Sequence, residues 1–180
     1  RDRRESRARA TAELMARSNR EIPHYHVATT IDLQAATTWL ASTNASRPAA
    51  ERILPAALLL KATARAAAEV PTCNGTWVDG FRPADAVRIG VVVFLRGGGF
   101  VVPTVADADQ LAVDDLMATL RDLVTRARAG RLRSSEVAGT TITVTNLGDR
   151  GAEEVHGVIP PPQVALVGFG TPAQRVCAVG

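Results

Sequence analysis

The chain has 180 residues, of which 46% are hydrophobic and 22% charged, a composition that fits one globular domain and excludes a disordered chain. No apolar run approaches the length of a membrane span, and no signal peptide is visible, so we expect no membrane partner. The formal net charge is +3, but arginines are concentrated in the first twenty residues and the remainder is close to neutral.

The arginine-rich start predicts a basic arm over residues 1–8, the end of a linker, followed by one domain over residues 9–180. A basic arm can bind nucleic acid, but aromatic residues are only 4% of the chain and none is interleaved with these arginines. We therefore prefer a solvated arm and expect no nucleic-acid partner. Cys73 and Cys177 match no metal-site spacing, which indicates reduced thiols, a cytoplasmic location and no metal.

The first half of the chain alternates helical and extended patterns. We expect a helix from about Glu5 to Ser18, and a strand over Tyr25–Leu33 that is rich in Val, Thr and Ile. Asp32 is placed to cap a second helix that ends near Thr43. A third, buried helix is predicted from Pro55 to Glu69, since proline fits a first helical turn and Pro71 stops the pattern.

The second half adds strands and one long helix. The predicted strands are a short one at Thr76–Val78 before an Asp-Gly turn, then 87–95, 100–105 and 164–168, with an extended segment from Gln174 to Val179. The helix covers about Val113 to Ala129 and ends at Gly130. Because helices and strands alternate, and at least two strands are apolar on both faces, we expect an α/β fold with a mixed sheet covered by helices.

The stretch from Gly139 to Gly148 predicts a strand that ends in an Asn-Leu-Gly turn. That strand would deliver Thr145 and Asn146 to its carboxyl end, the edge where α/β sheets bind ligands, and a hydroxyl there can donate to an oxyanion. The residues alone favour a threonine-rich core strand with a tight turn. Gly97-Gly98-Gly99 before Phe100 can cradle a phosphate, although no P-loop pattern surrounds it and a flexible turn fits as well.

Several segments, in order, resemble the acyltransferase component of 2-oxo acid dehydrogenase complexes, and the branched-chain type is one candidate. The central stretch resembles that family's Gly-Thr-Phe-Thr-Ile-Ser-Asn-Leu-Gly block. The other matching segments are Arg9–Ser18, Glu21–Tyr25, Leu54–Ala62, Val70–Gly75, Gly99–Pro103 and Pro161–Leu166. The resemblance covers nearly the whole chain and implies a chloramphenicol-acetyltransferase-like, two-layer fold for a catalytic domain over residues 9–180.

The family transfers an acyl group to coenzyme A from a thioester on a lipoyl group, which a separate lipoyl domain carries. The resemblance therefore implies Thr145 as the oxyanion donor with Asn146 beside it, and Gly98, Gly99 and Phe100 along the coenzyme A channel. It also implies a homotrimer or larger cage that binds the decarboxylase and dihydrolipoamide dehydrogenase components. The twenty arginines against a single lysine, Lys61, and the richness in alanine indicate a bacterial source. Phe94 and Leu54 depart from the polar residues that the family carries there, which puts coenzyme A contacts at those positions in doubt.

The family's catalytic base is the histidine of a His-x-x-x-Asp-Gly motif, and its histidine and aspartate are not present in this chain. His24, His26 and His156 are followed four residues later by Ala28, Thr30 and Pro160. The sequence either stops before the catalytic segment, as its start without Met and its end inside an extended segment suggest, or belongs to a non-catalytic scaffolding relative. His24 and His26 should share one face of a strand, where a structural role is preferred to metal binding.

Overall fold

The computed structural model describes residues 2–148 and 150–176, and the helices and strands below are those of this part of the chain. Four α-helices are present: α1 (Asp2–Glu21), α2 (Gln34–Asn44), α3 (Pro55–Glu69) and α4 (Val113–Arg128). The predicted bounds of α3 are confirmed. Helix α1 begins earlier than the sequence predicts, so from Asp2 onward the predicted arm is the first part of this helix.

The helix ends follow local chemistry. Leu33 is the N-cap residue of α2, and the carboxylate of the residue before it, Asp32, accepts a hydrogen bond of 2.8 Å from the backbone amide of Gln34, the first residue of the helix, as predicted. Gly130 follows α4 with φ of +68°, a left-handed conformation that glycine adopts without strain and that closes many helices. Short 3₁₀ turns occur at Ala49–Glu51, Pro71–Cys73 and Ser134–Glu136. No helix in the described ranges is long and apolar enough to cross a membrane.

The main sheet has four strands, in the order β6 (Thr104–Val105), β3 (Ile89–Val91), β7 (Ile142–Asn146) and β8 (Leu166–Phe169). Strand β7 runs parallel to both β3 and β8, whereas β6 is antiparallel to β3. This confirms the mixed sheet that the sequence predicts. The short strands β1 (Gly75–Trp77) and β2 (Phe81–Pro83) form a separate hairpin, which the predicted Asp-Gly turn closes.

Two predicted strands are each interrupted. The stretch from residue 87 to 95 divides into β3 and β4 (Val93–Phe94), and the stretch from 100 to 105 into β5 (Phe100–Val101) and β6. Pro103 lies at the second break, and its missing amide prevents a continuous ladder. As a result β4 and β5 leave the main sheet and pair with each other in a short hairpin whose tip holds the three glycines.

The prediction of a strand over Tyr25–Leu33 is wrong. Residues 22–33 form neither helix nor strand, and the side chains of Tyr25 and Val27 are 88% and 80% exposed. The residue types favour a strand, but none of the described strands pairs with this segment, and a strand exists only where a neighbour takes its backbone hydrogen bonds. At the other end, residues 171–176 form no strand, and the rest of the predicted segment Gln174–Val179 lies outside the described residues.

Helices α3 and α4 cover one face of the main sheet and enclose the hydrophobic core. The most buried apolar side chains from these helices and from β3 and β7 form one cluster, which includes Ala57, Leu60, Ala64, Leu116, Leu120, Ile89, Ile142 and Val144. The four residues Ile142 to Thr145 are all buried, so β7 is enclosed on both faces. The opposite face of β7 is lined by threonines, and it defines the candidate site.

Candidate active site

Alternation along β7 separates an apolar face from a hydroxyl face. Ile142 and Val144 point into the core beneath the helices, and each is 2% exposed. Thr141, Thr143 and Thr145 point to the other face and are 8%, 2% and 8% exposed. Buried hydroxyls need hydrogen-bond partners, so the partner of each threonine shows what its side chain does.

Two of these threonines have partners within the protein. The Thr141 hydroxyl accepts a hydrogen bond of 3.0 Å from the Arg88 amide and lies 3.2 Å from the Arg88 carbonyl oxygen. The Thr143 hydroxyl donates to the side-chain oxygen of Gln163 at 2.7 Å. These two hydroxyls hold neighbouring segments against β7, which is a structural role.

Thr145 differs from the other two. Within residues 2–148 and 150–176, its hydroxyl has no hydrogen-bond partner. The one fully enclosed side-chain oxygen or nitrogen without a partner in those ranges is Asn74 Oδ1, so the Thr145 hydroxyl is not sealed inside the protein. A hydroxyl that is largely shielded from water, held in place by a strand and without a protein acceptor can donate a hydrogen bond to a ligand.

Asn146 shapes the turn that follows. Its side-chain oxygen accepts a hydrogen bond of 2.8 Å from the Gly148 amide, an arrangement typical of Asn in tight turns. The Leu147 amide donates to the Phe169 carbonyl at 2.9 Å, which ties the turn to the end of β8. The Asn146 side-chain oxygen is therefore occupied, and this residue fixes where β7 ends.

Glycines on β8 allow a covering segment to approach Thr145. Gly168 is the register partner of Thr145, and a Cβ atom added at Gly168 would lie 2.5 Å from Val155 Cγ1 and 3.7 Å from Thr145 Cγ2. A Cβ on Gly157 would likewise lie 2.7 Å from Leu166 Cδ2. Residues 153–157 thus run closely over β8 on the face that adjoins the threonines of β7, and the methyl group of Thr145 lies near this contact.

The glycine-rich tip of the β4–β5 hairpin is a defined turn. Gly98 and Gly99 have φ of +89° and +76°, and the Gly98 amide donates to the Leu95 carbonyl at 3.0 Å. The Leu95 amide donates in turn to the Gly99 carbonyl at 3.0 Å. Because the Gly98 amide is occupied, this turn lacks one of the donors that a phosphate cradle would need.

An arginine connects this hairpin with the turn after β7. The Arg150 guanidinium lies over the Phe94 ring, 4.2 Å from its centroid, in a cation–π contact. The rings of Phe94 and Phe100 meet edge to face, with centroids 6.3 Å apart. The Arg150 amide donates to the Leu147 carbonyl at 2.8 Å, so the position of Arg150 is set by the turn itself. This contact is not predictable from the sequence, because no local pattern indicates that residues 94 and 150 lie together.

The three histidines of the chain lie together. The rings of His24 and His26 stack at 5.9 Å, and the ring of His156 meets His26 edge-on at 5.4 Å. His24 Nε2 accepts a hydrogen bond of 2.9 Å from the Ile159 amide, and the fully buried Ser18 hydroxyl donates to the Ile159 carbonyl at 2.7 Å. His24 therefore joins the end of α1 to the segment before β8, the structural role that the sequence favours.

Two surface clefts of the described ranges do not include Thr145, and these ranges contain no cluster of side chains arranged to hold a metal. A surface cleft of about 520 Å³ lies between residues 47–51 and α4, and a smaller one of about 200 Å³ lies beside the end of α4; neither includes Thr145. No group of three or more His, Cys, Asp or Glu side chains in residues 2–148 and 150–176 is arranged to hold a metal. His156 lies 3.4 Å from the Glu154 carboxylate, but its side chain is 58% exposed, as expected for a solvated loop.

The sequence and the fold are both similar to those of known proteins. The sequence profile described as "2-oxoacid dehydrogenases acyltransferase (catalytic domain)" matches residues 3–180. The dihydrolipoyllysine-residue acetyltransferase component 2 of the mitochondrial pyruvate dehydrogenase complex of Arabidopsis thaliana is 33% identical over 172 residues. That match covers 93% of this chain and 32% of the relative, so the chain spans about a third of the length of the curated relatives it matches.

Solved structures agree in fold. A probable dihydrolipoamide acetyltransferase from Listeria monocytogenes superposes with a TM-score of 0.88 at 25% identity, and the match covers 95% of this chain and 74% of that one. The dihydrolipoamide acetyltransferase of Azotobacter vinelandii superposes with a TM-score of 0.87 at 24% identity over 93% of this chain and 70% of that one. That structure was determined to examine the role of one serine, one histidine and one asparagine in catalysis.

A third solved structure, the cubic core of the pyruvate dehydrogenase multienzyme complex, has a TM-score of 0.89 at 24% identity and matches 94% of this chain and 71% of that one. These superpositions confirm the chloramphenicol-acetyltransferase-like fold that the sequence resemblance implies. The profile match extends over almost all of the 180 residues, and it is independent of the superpositions. The chain therefore belongs to the catalytic-domain family of the 2-oxo acid dehydrogenase acyltransferases.

Proposed function

We propose that this chain is the acyltransferase core of a 2-oxo acid dehydrogenase complex and takes part in moving an acyl group from a lipoyl thioester to coenzyme A. The observation that carries this proposal is the Thr145 hydroxyl. Of the three hydroxyls on its face of β7, it is the one that is left without a protein acceptor in the described residues. It also stands where the related Ser-Asn-Leu-Gly block has its serine.

The proposed chemistry needs a donor at this position. The coenzyme A thiol loses its proton and attacks the thioester carbonyl, whose oxygen gains negative charge. The carbon–sulfur bond to the lipoyl group then breaks, and the released sulfur takes up a proton. A preplaced hydroxyl that donates to the developing oxyanion lowers this barrier, an effect often worth about 3–4 kcal/mol. We assign that donation to Thr145, and to Asn146 the task of fixing the turn beside it.

The proton-accepting base is a separate matter. None of His24, His26 and His156 begins the family's His-x-x-x-Asp-Gly motif, and His24 instead joins the end of α1 to the segment before β8. The described residues therefore supply the oxyanion donor and the scaffold of the site. We propose that coenzyme A passes the β4–β5 hairpin, where Gly98, Gly99 and Phe100 form one wall, and that the lipoyl group arrives on a separate domain.

The assembly is also proposed by analogy. One structural neighbour is the cubic core of a pyruvate dehydrogenase complex, and on that basis we propose a homotrimer or a larger cage that binds decarboxylase and dihydrolipoamide dehydrogenase components. The matching relatives include a mitochondrial plant protein and a protein of the bacterium Rickettsia bellii. The cytoplasmic location in a bacterium thus stays a prediction.

The alternative is a scaffolding relative that forms the assembly without catalysis. It is favoured by one observation, the absence of the family's histidine motif from these 180 residues. Assay of the full-length protein with free dihydrolipoamide and a panel of acyl-coenzyme A donors decides between the two. The panel includes acetyl, succinyl and branched-chain acyl groups, since the relatives are named as acetyltransferases whereas the sequence resemblance leaves the branched-chain type open. No transfer with any donor would refute the enzymatic reading.

A further inference from the structure

Arg150 has no role in the proposed reaction as described above, but its side chain is held at the turn after β7. Its guanidinium stacks on Phe94 at 4.2 Å and thereby contacts the hairpin on the far side of the turn after β7. The stack engages the flat face of the guanidinium. The N–H groups point outward in the plane of the group, so stacking leaves them available as a rigid, forked donor for an oxyanion.

The acidic side chains that follow Arg150 are bound elsewhere. Glu153 forms an ion pair of 2.8 Å with Arg175, and Glu154 lies 3.4 Å from His156. Among the described residues, which leave out Asp149, the Arg150 guanidinium contacts no carboxylate. Its partner there is the Phe94 ring, which holds the cation in place without neutralising its charge.

The location of Arg150 links this charge to the candidate site. It lies in the turn that starts directly after Thr145 and Asn146, and its amide is fixed to the Leu147 carbonyl at 2.8 Å. Phe94 follows β3, which runs parallel to β7, so ring and guanidinium meet beyond the carboxyl ends of both strands. A second exposed cation, Arg96, lies near the tip of the same hairpin. Two arginines, Arg150 and Arg96, therefore belong to the turn and the hairpin that follow the carboxyl ends of these strands.

We propose that Arg150, presented by the Phe94 ring, binds an anionic group of the substrate by paired N–H donors. The chemistry it recognises is a planar or tetrahedral oxyanion. Two parts of the reactants of the proposed function carry one: a phosphate of coenzyme A, and the distal carboxylate of a dicarboxylic acyl group. The proposal rests on the proposed function and adds a determinant of substrate choice to it.

The test compares the full-length protein with its Arg150→Met variant, in which the side chain keeps its bulk but loses its charge and donors. Arg65→Met is the matched control, because Arg65 is an exposed arginine on α3 whose contact with Glu69 is a long 3.9 Å. Each protein is titrated calorimetrically with coenzyme A, with dephospho-coenzyme A and with succinate. Steady-state kinetics with acetyl and succinyl donors follow, and thermal midpoints show that each variant is folded.

If the anion is a phosphate, Arg150→Met weakens coenzyme A binding about tenfold or more, as expected for a lost charge-assisted pair, while kcat changes little. If the contact is to the 3′-phosphate, the variant also binds coenzyme A and dephospho-coenzyme A with equal affinity, whereas the wild type binds coenzyme A more tightly. If the anion is the acyl carboxylate, coenzyme A binding is unchanged and kcat/KM falls about tenfold for succinyl but not for acetyl transfer. Either result supports the proposal, and Arg65→Met should show neither.

Equal affinities and equal kinetics of wild type and Arg150→Met with every probe would overturn the proposal. A wild-type protein that transfers no acyl group would instead refute the proposed function. Arg150 is then judged by the titrations with coenzyme A and succinate alone, since these require no turnover. In that case identical titration curves for wild type and variant would refute the role of Arg150 as well.

Discussion

The threonines of β7 provide a test that separates catalysis from folding. In Thr145→Val the side chain keeps its shape and its preference for a strand but loses the hydroxyl, which makes no hydrogen bond within the described residues. Since no protein bond is broken, the free energy of unfolding should change by no more than about 1 kcal/mol. If Thr145 donates to the oxyanion, turnover should fall by about 10²–10³-fold, which corresponds to about 2.7–4 kcal/mol.

Thr143→Val is the matched control, two residues earlier on the same face. This change removes the donor to Gln163 at 2.7 Å and leaves a half-buried side-chain oxygen without its partner, which should destabilise the fold by about 1–3 kcal/mol. Turnover per folded molecule should stay near that of the wild type. We therefore expect Thr145→Val to lower the turnover rate with little loss of stability, and Thr143→Val to lower the stability with little loss of turnover.

Urea unfolding and steady-state turnover of the full-length protein measure both quantities. The Michaelis constant for coenzyme A should change little in Thr145→Val, because the lost bond forms mainly in the transition state. Thr145→Ser should keep most of the activity, since it retains the hydroxyl. Normal turnover in Thr145→Val would refute the assignment of Thr145 as the donor, and β7 would then serve folding alone.

Three further changes test other contacts in the fold. Hydrogen bonds from Arg126 and from the Arg133 amide lower the pKa of Glu136 from 4.5 to about 2. The ionised carboxylate therefore stabilises the fold above pH 4.5, and this contribution disappears as the pH falls toward 2. Glu136→Gln should reduce the change of the thermal midpoint with pH over that range, and a pH profile identical to that of the wild type would contradict this. Lys61→Met removes two hydrogen bonds from Nζ, to the carbonyls of Asp109 at 2.7 Å and Leu111 at 2.6 Å; it should cost about 2–3 kcal/mol in urea unfolding, with Lys61→Arg as a partial rescue. Gly168→Ala places a methyl group 2.5 Å from Val155 Cγ1 and should lower the free energy of unfolding by about 1–3 kcal/mol. Gly97→Ala, where nothing lies within 4 Å of the added methyl group, should lower it far less. Equal effects of the two changes would show that residues 153–157 can move away from β8 without a loss of stability.

The elements that could be predicted from sequence are those with local causes. Helix α3 was placed at its observed bounds because Pro55 starts it, its apolar pattern is continuous and Pro71 stops it. The position of Thr145 at the carboxyl end of a strand also follows from β-branched residues and an Asn-Leu-Gly turn. In both cases, the signal and the structure it specifies lie within a few residues of each other.

Features that depend on distant partners were not predictable in this way. Residues 25–33 have the composition of a strand, but pairing requires a neighbour, and no described strand supplies one. The contacts of His156 with His26 and of Arg150 with Phe94 bring together residues far apart in sequence. The free Thr145 hydroxyl was found only by comparison with the partners of Thr141 and Thr143.

The attachment of α1 has a consequence for the order of events during synthesis. The bond from the Ser18 hydroxyl to the Ile159 carbonyl closes a separation of 141 residues, and the bond from the Ile159 amide to His24 closes 135. At ribosomal rates of 5–20 residues per second, helix α1 waits roughly 7–28 s after its own synthesis before this partner exists. During that interval its docking surface is open to the solvent and to chaperones, and changes at Ser18 or His24 should therefore act on the yield of nascent chains as well as on the finished fold.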